Sequence, residues 1–265
     1  MPLEFNTLKL EMEETMARLT LNRPDRANAM TMEMGRDLAA AVEAVRASPA
    51  VRVLVLTGAG KHFCAGADMA EFERLHSSPP AEVEAAVRAF LEAIGAMHRL
   101  PVPVIACING DAYGGGVGLA LACDLRVMAA TARMGFVFRR VGLTGADAGV
   151  TYFLPRLVGP ARAMEILLMG TVFDAEAAAQ AGLVHRVVAP DELDRVTGEL
   201  AAQLAAGPPI ATRFTKEGVN ESLARSLTED LDFEARAQTT CMMSADHREG
   251  MRAFLEKRAP KFEGE

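Results

Sequence analysis

"INGDAYGGGVGLALACD", residues 108–124, is the stretch on which the fold turns. It follows "PVIAC" (103–107), an apolar run of strand length. Its glycine cluster then passes straight into "VGLALAC", a pattern that starts a helix. Strand, glycine turn and helix in that order make one unit of an α/β fold with parallel strands. The first N–H groups of a helix have no internal acceptor, and glycine lets a ligand approach them closely. "GGGVGL" lacks the third glycine of a dinucleotide-binding turn, so no nucleotide motif is present here. Pattern alone leaves two uses for these glycines: tight turns with close helix packing, or backbone donors aimed at a ligand.

A second glycine-bearing loop lies upstream. "VRVLVLTG" (51–58) is a buried strand of β-branched residues, and "AGKHFCAGAD" (59–68) follows it. "GAGKH" lacks the upstream glycine and the Ser/Thr of a phosphate-binding loop. Open α/β sheets place their ligand sites at loops that follow buried strands. A backbone N–H from each loop, converging on one point, would make an oxyanion hole for a carbonyl oxygen.

The rest of the chain extends the same architecture. Two alternating strands open it, "TLKLEME" (7–13) and "MARLTLN" (16–22). A helix is expected over 31–47, begun near Thr31 and ended by Ser48-Pro49, and another over 81–99. "DLRVMAA" (124–130) is a third buried strand. From Pro160 the chain reads as almost all helical, broken by a brief strand "LVHRVV" (183–188) and closed by four helical stretches. The expected organisation is an α/β core over 1–195 and a C-terminal helical region over 196–265.

Composition narrows the function. The chain has 265 residues, half of them hydrophobic, enough for one large domain with a helical appendage. A net charge of -7 argues against nucleic acid as a partner. No apolar run approaches membrane length, and "MPLEFNTLKLEMEET" has no signal-peptide pattern, so a cytoplasmic protein is expected. Four scattered cysteines without a CxxC pair read as reduced thiols, and five histidines without metal spacing predict no metal site.

One residue stands apart. Asp147, in "VGLTGADAGVTYFLPR" (141–156), is the only carboxylate between Asp124 and Glu165, in a stretch with six arginines and no lysine. A carboxylate among apolar residues is costly unless it is paired or used. It reads either as the N-cap of a helix running through "VTYFLPRLV" or as a catalytic group.

The segments "NRPDRANAM", "LVLTGAGKHFCAGADM", "INGDAYGGGVGLALACDLRVM", "VGLTGADAGVTYFLPRLVG" and "EGMRAFLEKRAPKF" together resemble the enoyl-CoA hydratase/isomerase family, the crotonase fold. The resemblance runs from about residue 5 to 263 in consistent order. It implies a ββα spiral core with a C-terminal helical trimerisation region, giving homotrimers or homohexamers. It implies acyl-CoA thioester substrates and no metal or redox cofactor, coenzyme A being part of the substrate. On matching positions, the two N–H groups that hold the thioester oxygen belong to Ala67 and Gly115. The CoA moiety is expected near Arg26, Ala27, Ala65, Asp68 and Met69. Phe254 and Lys257 match positions that reach the CoA of a neighbouring subunit, although a solvated helix lysine explains Lys257 equally well.

The sequence also departs from the family pattern. Typical hydratases use two glutamates; Gly118 and Phe138 occupy those positions here. The spacing of Asp147 to Arg156 instead matches isomerases of the family in which one carboxylate shuttles a proton along the acyl chain. An apolar wall of Phe136, Phe138 and Phe153 is expected to raise the pKa of that carboxylate. The leading expectation is an isomerase with Asp147 as the proton shuttle. The alternatives are a hydratase in which Asp147 replaces the glutamate pair, and a low-activity acyl-CoA-binding subunit.

Overall fold

The computed structural model describes residues 3–265. Strands β1 (Leu3–Glu4), β2 (Leu8–Glu13) and β3 (Met16–Leu21) form an antiparallel meander. Helix α1 (Met32–Arg46) follows, and the Thr31 side chain caps it by accepting from the Met34 N–H at 3.1 Å. Strand β4 (Val53–Gly58) pairs in parallel with β3, Leu19 opposite Leu56. Helices α2 (Met69–Leu75) and α3 (Pro80–His98) come next, then β5 (Val104–Ile108), parallel to β4. Every residue of β4 and β5 is buried, as expected of central strands covered on both faces.

After β5 come the short strand β6 (Ala112–Tyr113) and helix α4 (Gly115–Leu121), whose seven residues are all buried. Strand β7 (Leu125–Ala129) pairs with β5, and β8 (Arg133–Gly135) leads to helices α5 (Val150–Val158) and α6 (Pro160–Met169). Strand β9 (Val172–Asp174), helix α7 (Ala175–Gln180) and strand β10 (Arg186–Val188) complete the sheets. The large sheet runs β1-β2-β3-β4-β5-β7-β10, and a small one runs β6-β8-β9. The small sheet is not evident from the sequence, because strands of two or three residues carry no readable alternation.

Four helices close the chain: α8 (Leu193–Ala205), α9 (Pro209–Glu221), α10 (Leu227–Met243) and α11 (Ala245–Glu256). Helix α8 crosses the expected 195/196 boundary and packs on β3, β4, β5 and β7. Helices α9–α11 pack mainly on one another. All four cysteines are free thiols, and burial pushes those of Cys64 and Cys123 up to about 12.

Because β4 and β5 are parallel neighbours, the loops that follow them leave the sheet side by side. Two asparagines tie down the first loop. Buried Asn28 donates to the carbonyls of Ala59 (2.9 Å) and His62 (2.8 Å), and Asn109 donates to that of Gly60 (3.0 Å). The second loop presses so closely that a Cβ on Gly110 would overlap the Lys61 carbonyl oxygen. Gly110→Ala is therefore expected to destabilise the protein by about 1–3 kcal/mol, the usual cost of overpacking. Urea unfolding measures this, and a wild-type midpoint would show that the loops are not clamped.

Candidate active site

The two loops meet at a pair of backbone donors. Cys64 and Ala112 bridge them, with the Tyr113 N–H donating to the Cys64 carbonyl at 2.9 Å. Gly66 has φ +89°, and a Cβ there would stand 2.7 Å from the Tyr113 carbonyl oxygen and 3.5 Å from the Gly115 nitrogen. Only glycine accommodates that approach. Gly115 is the first residue of α4, so its N–H has no partner inside the helix. Ala67 lies beside Met30 in a parallel bridge. The bridge bonds run from the Met30 N–H to the Gly66 carbonyl (2.7 Å) and from the Asp68 N–H to the Met30 carbonyl (2.9 Å). The Ala67 N–H stays outside that ladder. Among the described residues, neither the Ala67 nor the Gly115 N–H donates to a backbone or side-chain acceptor.

Asp147 lies close to Gly115 and shares a cavity wall with Ala67. Its Oδ2 lies 3.5 Å from where a Cβ on Gly115 would sit, a spot that the ε-methyl of Met30 overlaps. Its Oδ1 accepts from the Ala148 N–H at 2.9 Å. No ion pair to Asp147 forms among the described residues. Burial raises its carboxyl above the ordinary carboxylate range, and the Ala148 N–H offsets part of that rise. A cavity of about 200 Å³ opens beside it, lined by Met30, Met32, Phe72, Val87, Phe90 and Leu143, with Ala67, Asp68 and Glu71 on its walls.

One open reading is decided and one expectation is corrected. Asp147 does not cap α5. The N-cap is Gly149, with no side-chain cap bond, so the helix begins too late for the Asp147 carboxylate to reach its first donors. The expected wall of Phe136, Phe138 and Phe153 does not line the cavity either. Phe136 packs edge-on against Phe173 in the core, and Phe153 against His98. Phe138 stands behind the glycine turn, 3.8 Å from a Cβ built on Gly114. The cavity's aromatic rings are Phe72 on α2 and Phe90 on α3, which are hard to pick out of helical patterns.

Arg26, Ala27, Ala65, Asp68 and Met69 lie on two segments that run together. Arg26 is exposed and ends the 3-10 turn Pro24–Arg26. Ala27 follows at φ +49°, and its carbonyl accepts from the Ala65 N–H at 3.0 Å. Met69 opens α2 and is exposed. Asp68 is committed to the fold: its Oδ2 pairs with Arg23 at 2.9 Å and its Oδ1 accepts from the Ala70 N–H at 3.0 Å. Burial acts to raise its pKa, yet Arg23 and the Ala70 and Glu71 N–H groups hold it below the usual range. Glu71, which the sequence did not mark, accepts from the Met32 N–H at 2.8 Å. Of the carboxylates on the cavity wall, Asp147 alone has no partner beyond its neighbouring N–H.

Phe254 and Lys257 are not part of this cavity. Phe254 is 83% exposed on α11, where it lines an apolar groove with Met251, Leu255 and Phe262. Lys257 is the exposed C-cap of the same helix at φ +54°. Among the described residues, no cluster of three His, Cys, Asp or Glu side chains is placed to hold a metal ion, and no helix is long and apolar enough to cross a membrane.

The family model for enoyl-CoA hydratase/isomerase matches residues 11–265. The chain belongs to the enoyl-CoA hydratase/isomerase family. Among its relatives in that family is the crotonyl-CoA hydratase of Syntrophomonas wolfei, 38% identical over 259 residues, which are 97% of this chain and 98% of that one. The 1,2-epoxyphenylacetyl-CoA isomerase of Escherichia coli is 37% identical over 253 residues, covering 95% and 96%. The crystal structure of an enoyl-CoA hydratase from Bacillus anthracis superposes with a TM-score of 0.92 at 34% identity, over 98% of this chain and all of that one. The α/β core with its helical C-terminal region is thus the crotonase fold, and the protein is an acyl-CoA enzyme of the enoyl-CoA hydratase/isomerase family.

Proposed function

We propose that the protein moves a double bond along an acyl-CoA thioester, with Asp147 as the single proton-transfer group. The observation that carries this reading is the Asp147 carboxylate, without an ion-pair partner and raised in pKa by burial, close to Gly115 at the start of α4. In the proposed reaction the thioester oxygen accepts from the Ala67 and Gly115 N–H groups. That polarises the carbonyl and acidifies the α-carbon. Asp147 takes the α proton, and the electron pair delocalises onto the oxygen as a dienolate. The same carboxyl then returns a proton to the γ-carbon, so the double bond shifts from the 3 to the 2 position and Asp147 is ionised again. A carboxyl whose pKa is raised by burial holds a proton more readily than an ordinary carboxylate, which suits its return to the γ-carbon. Cavity walls of Met30, Met32, Phe72 and Phe90 would seat the acyl chain with little water. The exposed Arg26, Ala65 and Met69, with the half-buried Ala27 and Asp68 beside them, would flank the CoA moiety.

Hydration is the second reading. It is favoured by the Syntrophomonas relative, named a crotonyl-CoA hydratase. Steady-state assays with trans-3-enoyl-CoA and trans-2-enoyl-CoA separate the two. An isomerase converts the first to the second and adds little water to it; a hydratase consumes the trans-2 substrate and leaves the trans-3 compound.

We also propose a homotrimer or a pair of trimers in which Phe254 and Lys257 approach a neighbour's CoA. Exposed apolar side chains support it: Tyr152, Leu157, Met164 and Leu168 on α5 and α6, and Leu223, Leu227, Phe254 and Leu255 in or beside α9–α11. Light scattering at micromolar concentration is expected to give three or six times the chain mass. A monomer would remove the cross-subunit role of Lys257.

A further inference from the structure

We propose that Gly118 and Ala148 act as a positioning pair that holds Asp147 at the site, so that a side chain at 118 and a working Asp147 exclude one another. This rests on Asp147 being the proton-transfer group. Ala148 is fully buried and sits at φ +48°, a left-handed conformation that alanine seldom adopts. Its surroundings explain how it is kept there. A Cβ on Gly118 would overlap the Ala148 methyl and stand 2.5 Å from the Ala148 carbonyl oxygen. The methyl therefore occupies the socket that the missing side chain leaves. Neither the methyl nor the carbonyl can swing aside by changing a rotamer, so any residue larger than glycine at 118 has to move the backbone of Ala148.

That backbone carries the carboxylate. The Ala148 N–H donates to Asp147 Oδ1 at 2.9 Å. Oδ2 is left within 3.5 Å of the Gly115 Cβ position, and the Ala148 methyl lies 3.7 Å from the same position. Socket, methyl, N–H and carboxylate form one run of contacts from α4 to the reacting group. The family's first hydratase glutamate would project from residue 118, into the space that Ala148 fills. In this chain the two positions compete for one volume, and Gly118→Glu is expected to displace Asp147 rather than add a second acid.

The test uses Gly118→Ala, Ala148→Gly, Asp147→Asn and the double variant Gly118→Ala/Asp147→Asn, assayed on trans-3-enoyl-CoA for kcat, KM and the pH dependence of kcat. Gly118→Ala is expected to lower kcat about 10²-fold, the scale of a small misplacement of a reacting group, with KM nearly unchanged. The rising limb of the pH profile should move to lower pH, because an Asp147 pushed into water loses the burial that raises its pKa. Asp68 and Glu71 also face this cavity, so the limb is assigned to Asp147 by its absence in Asp147→Asn. Added to Asp147→Asn, Gly118→Ala should cost nothing further, since it acts through the group already removed. Ala148→Gly keeps the left-handed turn and loses only the methyl, so it should lower kcat less and shift the limb in the same direction. Wild-type kcat and pH profile in Gly118→Ala, or a full additional loss in the double variant, would overturn the pairing. If Gly118→Ala does not fold, Ala148→Gly decides, and wild-type kinetics there overturns it. A fully active Asp147→Asn removes the pairing together with the single-carboxylate reaction. An inactive Asp147→Asn with unaltered Gly118→Ala and Ala148→Gly removes the pairing alone.

Discussion

Asp147→Asn is expected to lower turnover by about 10²–10⁴-fold, the contribution of a positioned proton-transfer group. Asparagine is nearly isosteric and its amide oxygen still accepts from the Ala148 N–H, so the loop and the cavity keep their shape. It cannot accept a proton from a carbon acid. Acyl-CoA affinity should stay nearly unchanged, because the change touches a step after binding. The stability effect has a definite sign. The folded pKa of Asp147 is raised by burial, so its ionised form is disfavoured in the native state. Below the ordinary carboxylate pKa of about 3.9 both states are protonated and the group costs nothing. As pH rises through the folded pKa, the native state gives up the proton at a cost, and wild-type stability falls relative to the variant. The melting temperature of Asp147→Asn should therefore match wild type in acid and equal or exceed it at neutral pH. Loss of stability at neutral pH would mean that the carboxylate is structural.

Removing the other half of the machinery should cost nearly as much. Ala67→Pro deletes one backbone N–H and no ladder bond, because the Met30 bridge uses the Gly66 carbonyl and the Asp68 N–H. The preceding residue, Gly66, tolerates the restriction that proline places on its neighbour more readily than any other residue would. Loss of one oxyanion donor typically costs about 10²–10³-fold in kcat. That loss is expected for Ala67→Pro, with a melting temperature close to wild type. Equal turnover in a folded Ala67→Pro protein would show that the thioester oxygen is held elsewhere.

Much of this site could be read from the residues, for physical reasons that also explain the misses. Buried strands such as "VRVLVLTG" declare themselves through β-branched side chains, and a glycine cluster after one marks a close backbone approach. Asp147 is conspicuous because a lone carboxylate in an apolar stretch carries an energetic cost that demands a use. The sequence leaves a cap and a catalytic group both open for it, since nothing in "GADAG" reveals that Ala148 turns left-handed and that the helix begins only at Val150. That turn packs against Gly118, distant in sequence, and no local pattern encodes the contact. The three phenylalanines near Asp147 in sequence point into other parts of the core, whereas Phe72 and Phe90 reach the cavity from helices far upstream. Proximity along the chain is a poor guide to which face of an element a ring occupies.

The most direct test of the single-carboxylate reaction is to incubate the wild-type protein with trans-3-enoyl-CoA in deuterated water and locate the label in the product. Proton transfer from the α- to the γ-carbon through Asp147 predicts trans-2-enoyl-CoA whose new γ-hydrogen is the former α-hydrogen, or deuterium where the Asp147 carboxyl exchanges with solvent before returning it, with no product heavier by a water molecule. A 3-hydroxyacyl-CoA as the main product, or trans-2-enoyl-CoA without γ-label and without γ-transfer of an α-deuterium supplied on the substrate, would contradict it.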